Sequence, residues 1–252
     1  MRHILKRCCF TLLALSLAMG SGHADDVARD SLRILVYGAT GKVGVHVVDE
    51  GLSRGHHVTA VSRDPARIEQ SHENLTPIQG DILDAGSVAL LLPGHDVVIV
   101  SVRGVTGRSK SPEDAVALIG VKNVVDALRD MQNQPPRLIH VGGSGSLEVR
   151  TGVVRADTLP KIFLPKRLEI EIAGQIKALD YLRGVSDVQW TYATPPRNFT
   201  NGERSGEYRI GGDRLMEDAR GRSRVSRVDF AVALIDEAES AAHQQKRFSV
   251  AY

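Results

Sequence analysis

The heptapeptide Gly38-Ala39-Thr40-Gly41-Lys42-Val43-Gly44 has the residue types and the spacing to hold a phosphate. A bridging phosphate needs a tight turn, a backbone with no Cβ in its way, and a helix N-terminus whose N–H groups are free. Gly38 and Gly41 supply the first two. The amides after Gly41, those of Lys42 and Val43, point at the anion, and Gly44 lets the helix sit close to the strand. An apolar run, Arg33 to Tyr37, precedes the motif, and a helical pattern from Lys42 to Arg54 follows it. That strand–turn–helix context makes it a dinucleotide-binding turn rather than a stray glycine pattern.

Other candidate residues stand where further apolar runs end. Strand two closes with Ser62-Arg63-Asp64. The planar fork of Arg63 suits a ribose 2′-phosphate, which favours NADP(H) over NAD(H). Asp64 keeps NAD(H) open, and a plain surface role for Arg63 is the alternative. After strand three, Asp81, followed by Ile82, either accepts from an adenine amino group or caps the next helix. After strand four, Val102 and Arg103 lie beside the cofactor, with Arg103 facing phosphate or substrate. After strand five, Ser144 and Ser146 follow Gly142-Gly143. Ser144 is the candidate catalytic hydroxyl, within reach of nicotinamide or substrate; a loop serine is the equal alternative. His140 reads as a core histidine inside that strand. Nine histidines show no ligand spacing, so no metal is expected. Glu169, Glu171 and Lys177 read as a solvated helix face.

The Tyr-x-x-x-Lys dyad of short-chain dehydrogenases is missing. Four places after Tyr37, Tyr181, Tyr192 and Tyr208 stand Gly41, Val185, Pro196 and Gly212. The usual acid for carbonyl reduction is therefore absent. There is no G-x-S-x-G elbow either. An oxidised flavin accepts hydride without such an acid, so alignment alone could serve it.

The elements that must position these residues alternate along the chain. Strands are expected at 33–37, 57–62, 75–79, 96–102, 137–141, 188–193 and 248–251. Helices are expected at 42–54, around 88–92, from Ser111 to about 131, at 166–184, and from a Ser226/Asp229 cap to about 240. This order implies an α/β fold, a doubly wound parallel sheet of Rossmann type in a single domain over 32–252. The irregular stretch 198–224 is expected to pass over the substrate side, with a small hairpin around Tyr208 to Ile210.

Residues 1–24 stand apart. Arg2, Lys6 and Arg7 precede the apolar run Phe10 to Met19, and Gly22 and Ala24 occupy the −3 and −1 places. This is the layout of a secretory signal peptide cleaved after Ala24, followed by a polar joint at 25–31. It implies export to the periplasm and no stable membrane span once cleaved. An uncleaved anchor or a misplaced start are the alternatives, and an unused signal leaves the protein cytoplasmic. Losing those three cations takes Lys+Arg from 32 to 29 against 30 Asp+Glu, and the formal charge from +2 to −1. The basic balance belongs to the leader, so nucleic acid is not an expected partner. Cys8 and Cys9 leave with it. The oligomeric state stays open.

Four segments so far described, GATGKVG, SRD, GDILD and VGGSGSL, resemble the atypical short-chain dehydrogenases. WTYATPP, NGERSGEYRIGGDRL, GRSRVSRVDFAVALIDEAE and RFSVAY resemble bacterial NAD(P)H-binding proteins of the NADH-flavin reductase type, which have NmrA-like relatives. The resemblance covers Leu32 to Tyr252. It implies bound NAD(P)H, with flavin or a small quinone-like acceptor as substrate, and Gly38, Thr40, Gly41, Arg63, Asp81, Arg103 and Ser144 as cofactor contacts. A non-catalytic NADP(H)-binding sensor or regulatory module of NmrA-like type uses the same pocket and is the alternative; an epimerase or dehydratase leans on the missing Tyr. Members are ordinarily cytoplasmic, and the leader sets this chain apart.

Overall fold

A computed structural model describes residues 31–160, 162 and 164–252. The leader expected at 1–24 and most of the polar joint lie outside the described residues. In chain order the elements are β1 (Arg33–Tyr37), α1 (Gly44–Ser53), β2 (His57–Ser62), β3 (Leu75–Gln79), α2 (Ala85–Leu91), β4 (Val97–Val100), α3 (Val116–Asp130), β5 (Arg137–Val141), β6 (Glu148–Arg150), β7 (Val153–Val154), α4 (Lys166–Arg183), β8 (Trp190–Thr194), β9 (Asn198–Thr200), β10 (Arg209–Gly211), β11 (Arg224–Ser226), α5 (Arg227–Ser240) and β12 (Lys246–Ala251).

Eight strands form one sheet in the order β10-β12-β8-β5-β4-β1-β2-β3. All pairs are parallel except β10 with β12. The chain winds outward from β1 through β2 to β3, then crosses back to β4 and outward again through β5 and β8. The turnover point between β1 and β4 is where an open parallel sheet leaves a crevice at its carboxyl edge. This is the doubly wound, Rossmann-like arrangement the alternating pattern implies. β4 (VVIV) is buried along its whole length because helices cover both faces. On one face Ile34, Val36, Val97 and Ile99 pack under α1 and α5, against Val47, Phe230 and Leu234. On the other, Leu35, Val98, Val100 and Leu138 pack under α2, α3 and α4, against Val121, Val125 and Leu179.

Three expectations change. The helix expected from Ser111 is broken in two. Pro112–Asp114 is a 3-10 turn, and Ala115 is extended before α3 begins. The capping pair is real but serves the turn: the Asp114 carboxylate accepts from the N–H groups of Lys110 and Ser111 at 2.8 and 3.0 Å. Second, no local hairpin forms around Tyr208 to Ile210. Those residues lead into β10, which pairs antiparallel with β12, some forty residues later. Third, two small pairs form outside the main sheet, β6 with β7 and β9 with β11, where no strand is expected.

The β9/β11 pair closes the base of the 198–224 excursion. Its first half lies along the α1/α5 layer. Arg204 donates to both carboxylate oxygens of Glu50 in α1 at 2.8 and 2.9 Å. The N–H groups of Ser205 and Gly206 both donate to Asp229 in α5 at 2.8 Å. Only the second half turns toward the opposite side, where Asp213 meets Arg183 and Arg247, and Glu217 meets Arg197. At the far edge, β3 carries Pro77.

Candidate functional site

The glycine turn is dictated by close approach. Gly38 has φ +80, and a Cβ there would lie 2.4 Å from the Ser101 carbonyl oxygen at the end of β4. A Cβ on Gly44 would lie 2.0 Å from the Gly38 carbonyl oxygen. The Gly41 N–H closes the turn on that same carbonyl at 2.9 Å. Helix α1 begins at Gly44, two residues later than its apolar pattern suggests, because Thr40 to Val43 are spent on the turn. No side chain caps it. The N–H groups of Lys42, Val43 and Gly44 have no acceptor among the described residues. Unsatisfied amides at a helix start, bordered by backbone that tolerates no Cβ, make a cradle that fits a phosphate.

The sequence-derived candidates all follow strands at the carboxyl edge. Asp81 and Ile82 follow β3, Arg63 follows β2, the glycine turn β1, Val102 and Arg103 β4, and Ser144 β5. These five strands are neighbours, so the candidates fall along one line spanning four strand spacings, roughly 19 Å. Arg63 is exposed and makes no ion pair among the described residues; Asp64 beside it is also exposed. Asp81 accepts from the Leu83 N–H at 3.0 Å, while α2 is capped by Asp84, which accepts from Gly86 and Ser87. The capping role proposed for Asp81 therefore belongs to Asp84. Ile82 is buried, and its carbonyl accepts from Asn123 of α3 at 2.9 Å. Val102 lies against Gly38.

Arg103 is not free. Its guanidinium donates to Glu171 of α4 at 2.6 Å. Glu171 is accordingly half-buried rather than part of a solvated face. Lys177 likewise reaches Glu113 at 3.1 Å. These pairs tie α4 to the loop after β4.

Ser144 opens a 3-10 turn, Ser144–Ser146, behind Gly142-Gly143. Gly142 is required because a Cβ there would lie 2.1 Å from the Tyr192 ring. The turn is held from three sides. Ser146 accepts from Arg247 at 2.9 Å, a Cβ on Gly145 would lie 2.7 Å from Ile172, and the Ser144 hydroxyl accepts from Arg155 at 3.4 Å. His140 is fully buried, as its strand position implies, and stacks on Tyr192 with centroids 5.3 Å apart. Burial pushes the imidazole down to about 4, with Gln175 pushing the other way. It is neutral at ordinary pH and belongs to the floor beneath the cleft. Burial also pushes the Tyr37 hydroxyl up, so it offers no ready acid. The amino-acid order singles out neither Arg155 nor Arg197 and assigns Glu171 to a solvated face, because each meets its partner from another segment and carries no local motif.

A family model for NAD(P)H-binding proteins matches residues 38–241. Among solved structures, a provisionally named epimerase of Bacteroides thetaiotaomicron superimposes with a TM-score of 0.78 at 28% identity, covering 88% of this chain and 97% of that one. A Burkholderia pseudomallei protein provisionally described as exported gives 0.73 at 32% identity, covering 88% and 100%. A provisionally named NADH-flavin reductase of Streptococcus pneumoniae gives 0.69 at 27% identity, covering 88% and 99%.

Proposed function

Because the chain belongs to the NAD(P)H-binding family, we propose that it prefers NADP(H) to NAD(H) and reduces a flavin or a small quinone-like acceptor. The observation that carries the cofactor reading is the uncapped start of α1 behind a turn that admits no Cβ. Lys42, Val43 and Gly44 would hold the pyrophosphate through their N–H groups, and Gly38 would let it approach. Arg63, exposed and unpaired among the described residues, would meet a ribose 2′-phosphate. Asp81 would accept from the adenine amino group, next to Ile82, whose carbonyl accepts from Asn123. Val102 and Arg103 border the middle of the line, and Ser144 stands at the nicotinamide end.

When bound, the dinucleotide supplies a hydride, and with a proton from solvent this balances reduction of the acceptor. The chain's own part is positioning. Ser144, held by its turn, donates a hydrogen bond to the carboxamide or the acceptor. No tyrosine–lysine pair is needed for an acceptor that is already electrophilic. A similar solved structure carries a flavin reductase name, which agrees with this choice. NADPH absorbance should fall when FMN or riboflavin is added to purified protein. Flat traces with flavins and quinones, alongside tight NADPH binding, would overturn the reductase reading and leave a sensor module. The absent dyad is the feature that favours that second reading.

The leader is proposed to carry the chain to the periplasm, in line with the exported description of one relative. No helix among the described residues is long and apolar enough to cross a membrane. N-terminal sequencing of periplasmic protein should begin at Asp25; an intact Met1 form confined to the cytoplasm would refute export.

A further inference from the structure

We propose that Arg155 binds an anionic group, a carboxylate or a phosphate, on the acceptor beside Ser144. The inference rests on reading this end of the cleft as the place where the acceptor meets the cofactor.

Arg155 starts a 3-10 turn, Arg155–Thr158, and its backbone N–H is pinned to the Leu147 carbonyl at 2.8 Å. Its side chain is half-buried, and among the described residues its one side-chain bond is the long contact to the Ser144 hydroxyl at 3.4 Å. No carboxylate among the described residues lies within ion-pair distance of it. Three other arginines differ. Arg247 has Asp213, Arg197 has Glu217 at 2.6 Å, and Arg103 has Glu171. Arginine does not lose its proton in proteins, so Arg155 is a fixed charge partly withdrawn from water without a counter-charge. Burial first, and then the positive charge of Arg197, push its pKa down. That is the imbalance an incoming anion would relieve, and a fork of five donors suits carboxylate or phosphate.

Position argues against the cofactor's own phosphates as the partner. The glycine turn follows β1, two strands from β5 and three from β8. Those offsets amount to roughly 10 and 14 Å. Arg155 reaches Ser144, which follows β5, so it meets the cleft two strands away from the pyrophosphate cradle, where the acceptor would lie.

FMN and riboflavin test the inference, because they share one reactive ring and differ by a phosphate. The parent protein should prefer FMN by about tenfold or more, both in kcat/KM with NADPH and in flavin binding to NADP⁺-loaded protein followed by flavin fluorescence. Arg155→Gln should bring both ratios close to one. Arg155→Lys, which keeps the charge on a flexible stem, should retain part of the preference and controls for folding. Equal affinity of the parent protein for the two flavins, or a ratio that Arg155→Gln leaves unmoved, overturns the inference; NADPH oxidation with either flavin would still stand for the reductase reading. Phosphate-dependent binding that needs Arg155 but yields no turnover keeps the inference and removes the reductase. A weaker Kd for NADPH in Arg155→Gln, with the flavin ratio unmoved, assigns the arginine to the cofactor and overturns the inference.

Discussion

At the Gly38–Gly44 turn, the groups that would meet a ligand are backbone amides with nothing to bond among the described residues, and Arg63, after the adjacent strand β2, is exposed. Around Ser144 the composition is reversed. Side chains dominate: Arg155 reaches Ser144, and Arg247, paired with Asp213, reaches Ser146, behind a strand that carries the buried His140 stacked on Tyr192. The first end is one contiguous heptapeptide whose geometry follows from the lack of Cβ atoms. The second is assembled from segments up to about a hundred residues apart. A backbone-built site recognises what every dinucleotide shares, whereas a side-chain-built site can be rewritten one residue at a time. Specificity for the acceptor is therefore expected at the second end.

The sharpest way to break this contrast is Gly38→Ala. The change puts a Cβ at φ +80 and 2.4 Å from the Ser101 carbonyl oxygen. Strain and overpacking together should cost about 3 kcal/mol of stability, read by urea unfolding, and NADPH affinity should fall by about a hundredfold or more. Affinity within tenfold of the parent would mean that the turn is not the phosphate cradle.

At the other end, the floor predicts a pH dependence. Burial holds His140 at about 4 against an ordinary 6.5. A base depressed in the folded state takes up its proton on unfolding. Stability is thus complete above about pH 6.5 and is lost as pH falls toward 4, by about 3 kcal/mol. His140→Phe should flatten that part of the profile, measured by denaturant melts at several pH values; an unchanged slope counts against a buried neutral imidazole.

Arg63→Ala tests how the backbone end chooses between cofactors. NADPH affinity should drop by 1–3 kcal/mol, the worth of a charge-assisted contact, while NADH affinity stays level in the same titrations. Parallel losses would remove the 2′-phosphate assignment. The smallest effect is expected from Ser144→Ala, with kcat for flavin reduction down about tenfold, the worth of one hydrogen bond. Stopped-flow traces unchanged from the parent would return Ser144 to a loop role.

How much of this could be read from the amino-acid order follows the same division. The strands β1, β2, β3 and β5, the glycine turn and the Ser226 cap were legible because each is specified within about ten residues. Arg155 was not, since its importance comes from what it lacks: a carboxylate within reach in three dimensions. Glu171 looked solvated because Arg103 lies 68 residues earlier. β10 was misread as half of a hairpin because its partner β12 is remote, and strand pairing over that distance leaves no periodic trace. The helix expected from Ser111 was legible in its cap but not in its break at Ala115, where the extended backbone is set by the neighbouring fold.

The borders of the sheet have a consequence for assembly. In a parallel ladder alternate N–H groups face the partner strand. Gly80 donates to Ser62 at 3.0 Å, so the even-numbered amides beyond β2 point inward, and the missing N–H of Pro77 falls on the open side of β3. The opposite border ends in β10, three residues long. Neither border offers a long run of donors to an incoming strand. Among the described residues, joining sheet to sheet, the common route to fibrous aggregates, is obstructed at both margins.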